Sequence, residues 1–133
     1  MVILVGYDRS NTAKSVLNVA GKQAEAFGAA LHVVTCYSQK TNVKKRDMEK
    51  MTELLSQLEE IKNRYKEERI SCHTHLLVND FTPGENLIQY ATENKVDQIV
   101  IGVKIRSKLE KLVFGSTAQY VILKAACPVL SVK

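Results

Sequence analysis

Residues 1–8 read Met1-Val2-Ile3-Leu4-Val5-Gly6-Tyr7-Asp8, an unbroken apolar run closed by a glycine, a tyrosine and an acid. A strand covered on one face alternates apolar and polar residues, whereas a strand covered on both faces shows a continuous run. The stretch from Val2 to Tyr7 therefore reads as a doubly buried strand. Residues 11–27 follow with Ala13, Val16, Leu17, Ala20, Ala24 and Phe27 at helical spacing. Ser10 or Asn11 is the expected start cap and Gly28 the expected stop. Leu31 to Tyr37 is a second apolar, β-branched stretch. A strand, a helix and another buried strand in succession call for a right-handed crossover and a parallel pair.

The alternation continues outward from this unit. Polar residues 38–46 end in Lys44-Lys45-Arg46 and read as a loop leading to a basic helix entrance. Met48, Met51, Leu54, Leu55, Leu58, Ile61 and Tyr65 mark a long amphipathic helix, with the two methionines expected as core filler. Between Ile70 and Val78, Cys72, Thr74 and Leu76 alternate with Ser71, His73 and His75, the pattern of a half-buried strand near a sheet edge. Thr82-Pro83-Gly84-Glu85 is a helix start. Thr82 accepts from the third helical position, Pro83 needs no partner for a missing N–H, and Glu85 can reach back.

Leu87, Ile88 and Ala91 give that helix its inner stripe. Val96 to Ile101 reads as a further strand with Gly102 at its exit, and Gly115 to about Ala126 as a helix with Val121, Ile122 and Ala125 inward. Pro128 to Val132 closes the chain as a strand whose first residue tolerates a missing donor. The expected architecture is one α/β domain over residues 1–133, a doubly wound five-stranded parallel sheet with helices on both faces. Such sheets bind ligands beyond the C-terminal ends of their strands, where the winding reverses. That rule selects Gly6-Tyr7-Asp8 and the segment from Gly102 onward.

Composition narrows the field. The chain has 133 residues, 45% hydrophobic and 25% charged, which suits one globular domain and excludes collagen-like and wholly disordered readings. No apolar run reaches the ~20 residues of a membrane span, and the N-terminal stretch lacks the length and positive flank of a signal peptide. Cys36, Cys72 and Cys127 lie far apart in apolar segments, so reduced thiols in a cytoplasmic protein are expected rather than a disulfide framework. The net charge of +5 is not gathered into one block, and tryptophan is absent. A nucleic-acid partner is therefore not expected, and Lys44-Lys45-Arg46 reads as a solvated helix start.

Residues 102–117 carry the candidate site: Gly-Val-Lys-Ile-Arg-Ser-Lys-Leu-Glu-Lys-Leu-Val-Phe-Gly-Ser-Thr. The first amides of the helix opening at Gly115-Ser116-Thr117 have no internal partners and, with the helix dipole, favour an anion. Ser116 and Thr117 add hydroxyl donors, and Lys104 and Arg106 add charge from the facing loop. The alternative at this point is a strand-ending Gly102, a merely capped helix and a solvated basic face. The segment matches neither a Walker A sequence nor a GxGxxG fingerprint. His73 and His75 share a strand face without a further Cys/His cluster nearby in sequence, and His32 stands alone in its strand. They read as edge and buried histidines rather than metal ligands. No Gly-x-Ser-x-Gly elbow is present, so no nucleophilic machinery is expected.

The chain resembles the universal stress proteins over almost its whole length. The resemblance rests on the opening strand closing in Tyr7-Asp8 with Ser10 beyond it, on Leu31-His32-Val33, on Ile99-Val100-Ile101-Gly102, and most specifically on Phe114-Gly115-Ser116-Thr117 followed by Ala125-Ala126-Cys127-Pro128-Val129-Leu130. It implies strand order 3-2-1-4-5 and dimerisation through the last strand, residues 127–132. One branch of that family binds ATP through Gly, two residues, Gly, nine residues, Gly, Ser/Thr. Gly102 and Gly115-Ser116 match this motif, whereas Ile105 replaces its middle glycine. An isoleucine disfavours positive φ and adds bulk where phosphate oxygens meet the backbone.

By resemblance, the cofactor is ATP or another adenine nucleotide with Mg or Mn. The resemblance places adenine beside the backbone of Val33 and the ribose, phosphates or metal at Asp8, and it gives the phosphates to Gly102, Lys104, Arg106, Gly115, Ser116 and Thr117. Asp8 reads equally as a strand-end carboxylate capping the first helix. The expected function is an adenine-nucleotide-binding signalling or stress-response protein, a homodimer, with at most slow ATP hydrolysis. The alternatives are a dimeric interaction module without nucleotide and a small enzyme acting on a phosphorylated metabolite.

Overall fold

A computed structural model of the chain describes residues 1–39, 42–103 and 115–133. Its order is β1 (Val2–Gly6), α1 (Ala13–Phe27), β2 (Ala30–Ser38), α2 (Lys45–Glu67), β3 (Cys72–Asn79), α3 (Pro83–Glu93), β4 (Gln98–Gly102), α4 (Ser116–Lys124) and β5 (Val129–Val132). All strand pairs are parallel, in the order β3-β2-β1-β4-β5. The buried apolar run of the first strand therefore lies at the centre of the sheet, and the alternating Cys72–Asn79 strand lies at an edge.

Pleating splits the core in two. Ile3, Val5, Leu31, Val33 and Val100 pack with Val16, Ala20, Leu58 and Tyr65 of α1 and α2. Leu4, Val34, Ile99 and Ile101 pack with Leu87 of α3 and Ala118 and Val121 of α4 on the other face. Each fully buried aliphatic side chain contributes about 1.5–3 kcal/mol, which is why runs rather than alternation mark these strands. Tyr65 is fully buried, and its hydroxyl donates to the Leu17 carbonyl at 2.5 Å, so its polar end is satisfied inside the core.

Local signals place most element ends. Gly28 takes the left-handed conformation, φ 63°, and its N–H reaches Ala24 O. Glu85 N donates to Thr82 Oγ1 at 3.2 Å, and the Thr82 hydroxyl donates to Glu85 Oε1 at 2.9 Å. The returning carboxylate thus meets the capping hydroxyl.

Three expectations shift. The cap of α1 is Thr12 rather than Ser10 or Asn11, with the Ser10 and Thr12 hydroxyls 2.8 Å apart. Met48 and Leu55 of α2 are exposed, because burial on that helix begins at Leu54 and continues through Leu58, Ile61 and Tyr65. Ile122 is 43% exposed rather than inward, since Ala118 and Val121 take the sheet side of α4 and the next residue is turned 100° away. The three cysteines are half-buried and free, and burial pushes the Cys72 thiol up to about 11. Among the described residues no helix is long and apolar enough to cross a membrane.

Candidate functional site

A cleft of about 380 Å³ opens beyond the C-terminal ends of β1, β2 and β4, where the sheet's winding reverses. Asp8, Gly102 and Thr117 line it, so the ends of β1 and β4 and the first turn of α4 converge as their positions in sequence suggest. Gly115 and Ser116 are exposed at the start of α4. Val33 is not among the lining residues. Its side chain is fully buried under α1 and α2, and the residues after it, Val34 to Tyr37, line the cleft. Lys104, Ile105 and Arg106 lie outside the described residues.

Asp8 shapes the loop that enters α1. Its Oδ1 accepts from Ser10 N at 2.9 Å, a local turn that replaces a backbone partner. The carboxylate is exposed at the cleft rather than committed to an ion pair among the described residues.

The two motif glycines differ in what demands them. A Cβ on Gly102 would overlap the Thr12 hydroxyl and stand 3.2 Å from Val16 Cγ2. Gly102 is therefore required by the close approach of α1 to β4. Gly115 has φ −62° and ψ 154°, torsions open to any residue, and among the described residues no atom lies within 4 Å of where its Cβ would stand. No described residue needs a glycine there. Its missing side chain keeps space clear beside the unpaired amides of α4.

Several cleft residues carry no motif and escape a reading of sequence. Arg9 and Lys50 add positive charge to the wall, Arg9 being paired with Glu53 at 3.2 Å. Lys50 has no carboxylate partner among the described residues. Tyr37, also on the wall, donates to Asp47 at the start of α2, where Asp47 Oδ2 accepts from Lys44 N at 3.0 Å. These bonds hold the Asp47 carboxyl below its ordinary range. Lys50 is four residues after Arg46 on the helix, but only the crossover of α2 brings it over the strand ends. Burial pushes the Cys36 thiol up, which leaves it a neutral wall group with a bond to Asn86.

Among the described residues, no group of three or more His, Cys, Asp and Glu side chains is placed to hold a metal ion. The arrangement offers a part-apolar slot beside the sheet, a carboxylate, two cations and exposed helix amides. Those features suit an elongated anion with a flat apolar end.

The model of the Universal stress protein family matches residues 1–133. A universal stress protein of Methanocaldococcus jannaschii is 32% identical over 126 residues, covering 91% of this chain and 72% of the relative. The solved structure of a universal stress protein from Archaeoglobus fulgidus is 34% identical with a TM-score of 0.84, covering 100% of this chain and 98% of that one. A structure from the same organism, described as the universal stress protein in complex with dAMP, is 31% identical with a TM-score of 0.79, over 100% and 98%.

Proposed function

The chain belongs to the universal stress protein family, and from that premise we propose that it binds an adenine nucleotide in the cleft beyond β1, β2 and β4, as a signalling or stress-response protein. The observation that carries this reading is the convergence of Asp8, Gly102 and Thr117 of the first α4 turn on one cleft beyond the strand ends, where exposed helix amides favour a phosphate. The dAMP bound by the Archaeoglobus fulgidus relative supports the same ligand class.

Thr117 and the amides after Gly115 hold phosphate oxygens, with Lys50 and Arg9 adding charge from the opposite wall. Lys104 and Arg106 add charge from their own loop. The apolar wall from Val34 to Tyr37 takes the base, adjoining the position proposed for Val33. Asp8 fits a divalent ion as a single carboxylate, so Mg or Mn sits there only with phosphate oxygens completing its shell. Such an ion neutralises phosphate charge. The reading is binding, with at most slow ATP hydrolysis.

β5 is an edge strand, and the neighbouring Leu123 is 73% exposed, which supports a homodimer through residues 127–132. A cytoplasmic location accompanies this reading. Calorimetric titration with Mg·ATP and AMP tests the ligand, together with mass spectrometry of small molecules released on denaturation. Saturable binding supports the reading. Absence of binding at millimolar nucleotide overturns it and leaves an interaction module of the same fold.

A further inference from the structure

His32, on β2, stands in register with His73 on β3 and with Leu4 on β1. Registered residues of a parallel sheet share a face, and so does His75 two positions on. The His32 ring centroid lies 5.0 Å from that of His73 and 6.3 Å from that of His75. From α3, the Tyr90 hydroxyl meets His32 Nδ1 at 2.6 Å, and its ring lies 5.5 Å from that of His75. His32 and the distant pair His73 and His75 thus form one cluster of three imidazoles, with His32 half-buried and the β3 pair exposed at the sheet edge.

We propose that this cluster is a proton-responsive contact that ties α3 and the β3 edge to β2 when neutral and loosens when protonated. The groups facing His32 are His73 and His75 from β3, Tyr90 from α3 and the apolar Leu4 from β1. No carboxylate pairs with any of these rings among the described residues. Positive charge gathered here therefore meets only positive charge. Burial, then His73, then His75 lower the proton affinity of His32. In the neutral tautomer that carries its proton on Nε2, Nδ1 accepts from the Tyr90 hydroxyl. A protonated ring must donate through Nδ1, so the hydroxyl has to turn and seek a new acceptor.

The sign follows. A histidine whose folded proton affinity is lowered binds protons more readily in the unfolded chain. The stability it contributes is present above the ordinary imidazole range, and it is lost as pH falls from that range to the lowered folded value.

The test follows the three imidazole resonances of the full chain by NMR from about pH 8 to about pH 5, with hydrogen exchange of the α3 amides across the same window. His73→Gln/His75→Gln is the main variant, because both side chains are exposed at the sheet edge. The expected result has His32 taking its proton last, with a midpoint that rises toward the ordinary range in the double variant. Lower α3 protection factors at low pH, taken relative to the intrinsic exchange rate at each pH, accompany this in the unaltered protein, and the loss is reduced in the variant. Tyr90→Phe, which removes the hydroxyl, is expected to shift the His32 midpoint again. Independent titration of three ordinary histidines, with His32 unmoved by the double variant, overturns the proposal. Unchanged α3 protection factors across the window overturn it equally.

Discussion

Gly102 and Thr12 close against each other with no room for a side chain between them: a Cβ on Gly102 would overlap the Thr12 hydroxyl and lie 3.2 Å from the Thr12 Cβ. Thr12 caps α1 and shares a hydroxyl contact with Ser10, which in turn is held by Asp8. The end of β4 and the loop bearing Asp8 are thus packed as one unit.

Gly102→Ala is expected to destabilise the fold by about 1–3 kcal/mol, because the new methyl pushes Thr12 and Val16 off their positions. Urea unfolding measures it. A variant as stable as the parent would mean that the Thr12 side chain turns aside at no cost and that the approach is not tight.

Gly115→Ala should behave in the opposite way. Alanine accepts these torsions and meets nothing within 4 Å among the described residues, so folding stability is expected to stay within about 0.5 kcal/mol. Nucleotide affinity is expected to fall by about tenfold or more, equivalent to ~1.4 kcal/mol, because the methyl occupies the phosphate's approach. Titration calorimetry on the folded variant separates the two effects, and unaltered affinity would remove Gly115 from the site.

Lys50→Gln tests the charge on the α2 wall. The ammonium has no carboxylate partner among the described residues, so its removal is expected to weaken ATP severalfold and adenosine hardly at all. The loss should shrink as salt is raised. Equal weakening of both ligands would mean that Lys50 shapes the wall and does not contact phosphate.

Asp47→Asn probes the Tyr37 contact through pH. The hydrogen bond from Tyr37 and the one from Lys44 N lower the folded proton affinity of Asp47. Its contribution is therefore present above the ordinary carboxylate range and is lost as pH falls through the lowered folded value. The melting temperature of the variant is expected to lie below the parent's at neutral pH and to merge with it in acid. A constant gap at all pH values would assign the effect to packing.

Gly28 as a left-handed stop, Thr82 with Glu85 as a helix start, and the central place of the Val2–Gly6 run were all legible along the chain. Each depends on torsions and periodicities complete within one or two turns, or on whether a strand is covered on both faces. The strand order came through resemblance, and Asp8, Gly102 and Thr117 converge in the cleft. Other relationships have no local signature. Lys50 reaches the cleft, His32 joins His73 and His75, Val33 and Val34 pack into the two opposite halves of the core, and Ile122 turns outward. These follow from the register between distant strands and from the side on which each helix lands. Crossovers of this length leave both free until the core packs, so no stretch of neighbouring residues can encode them.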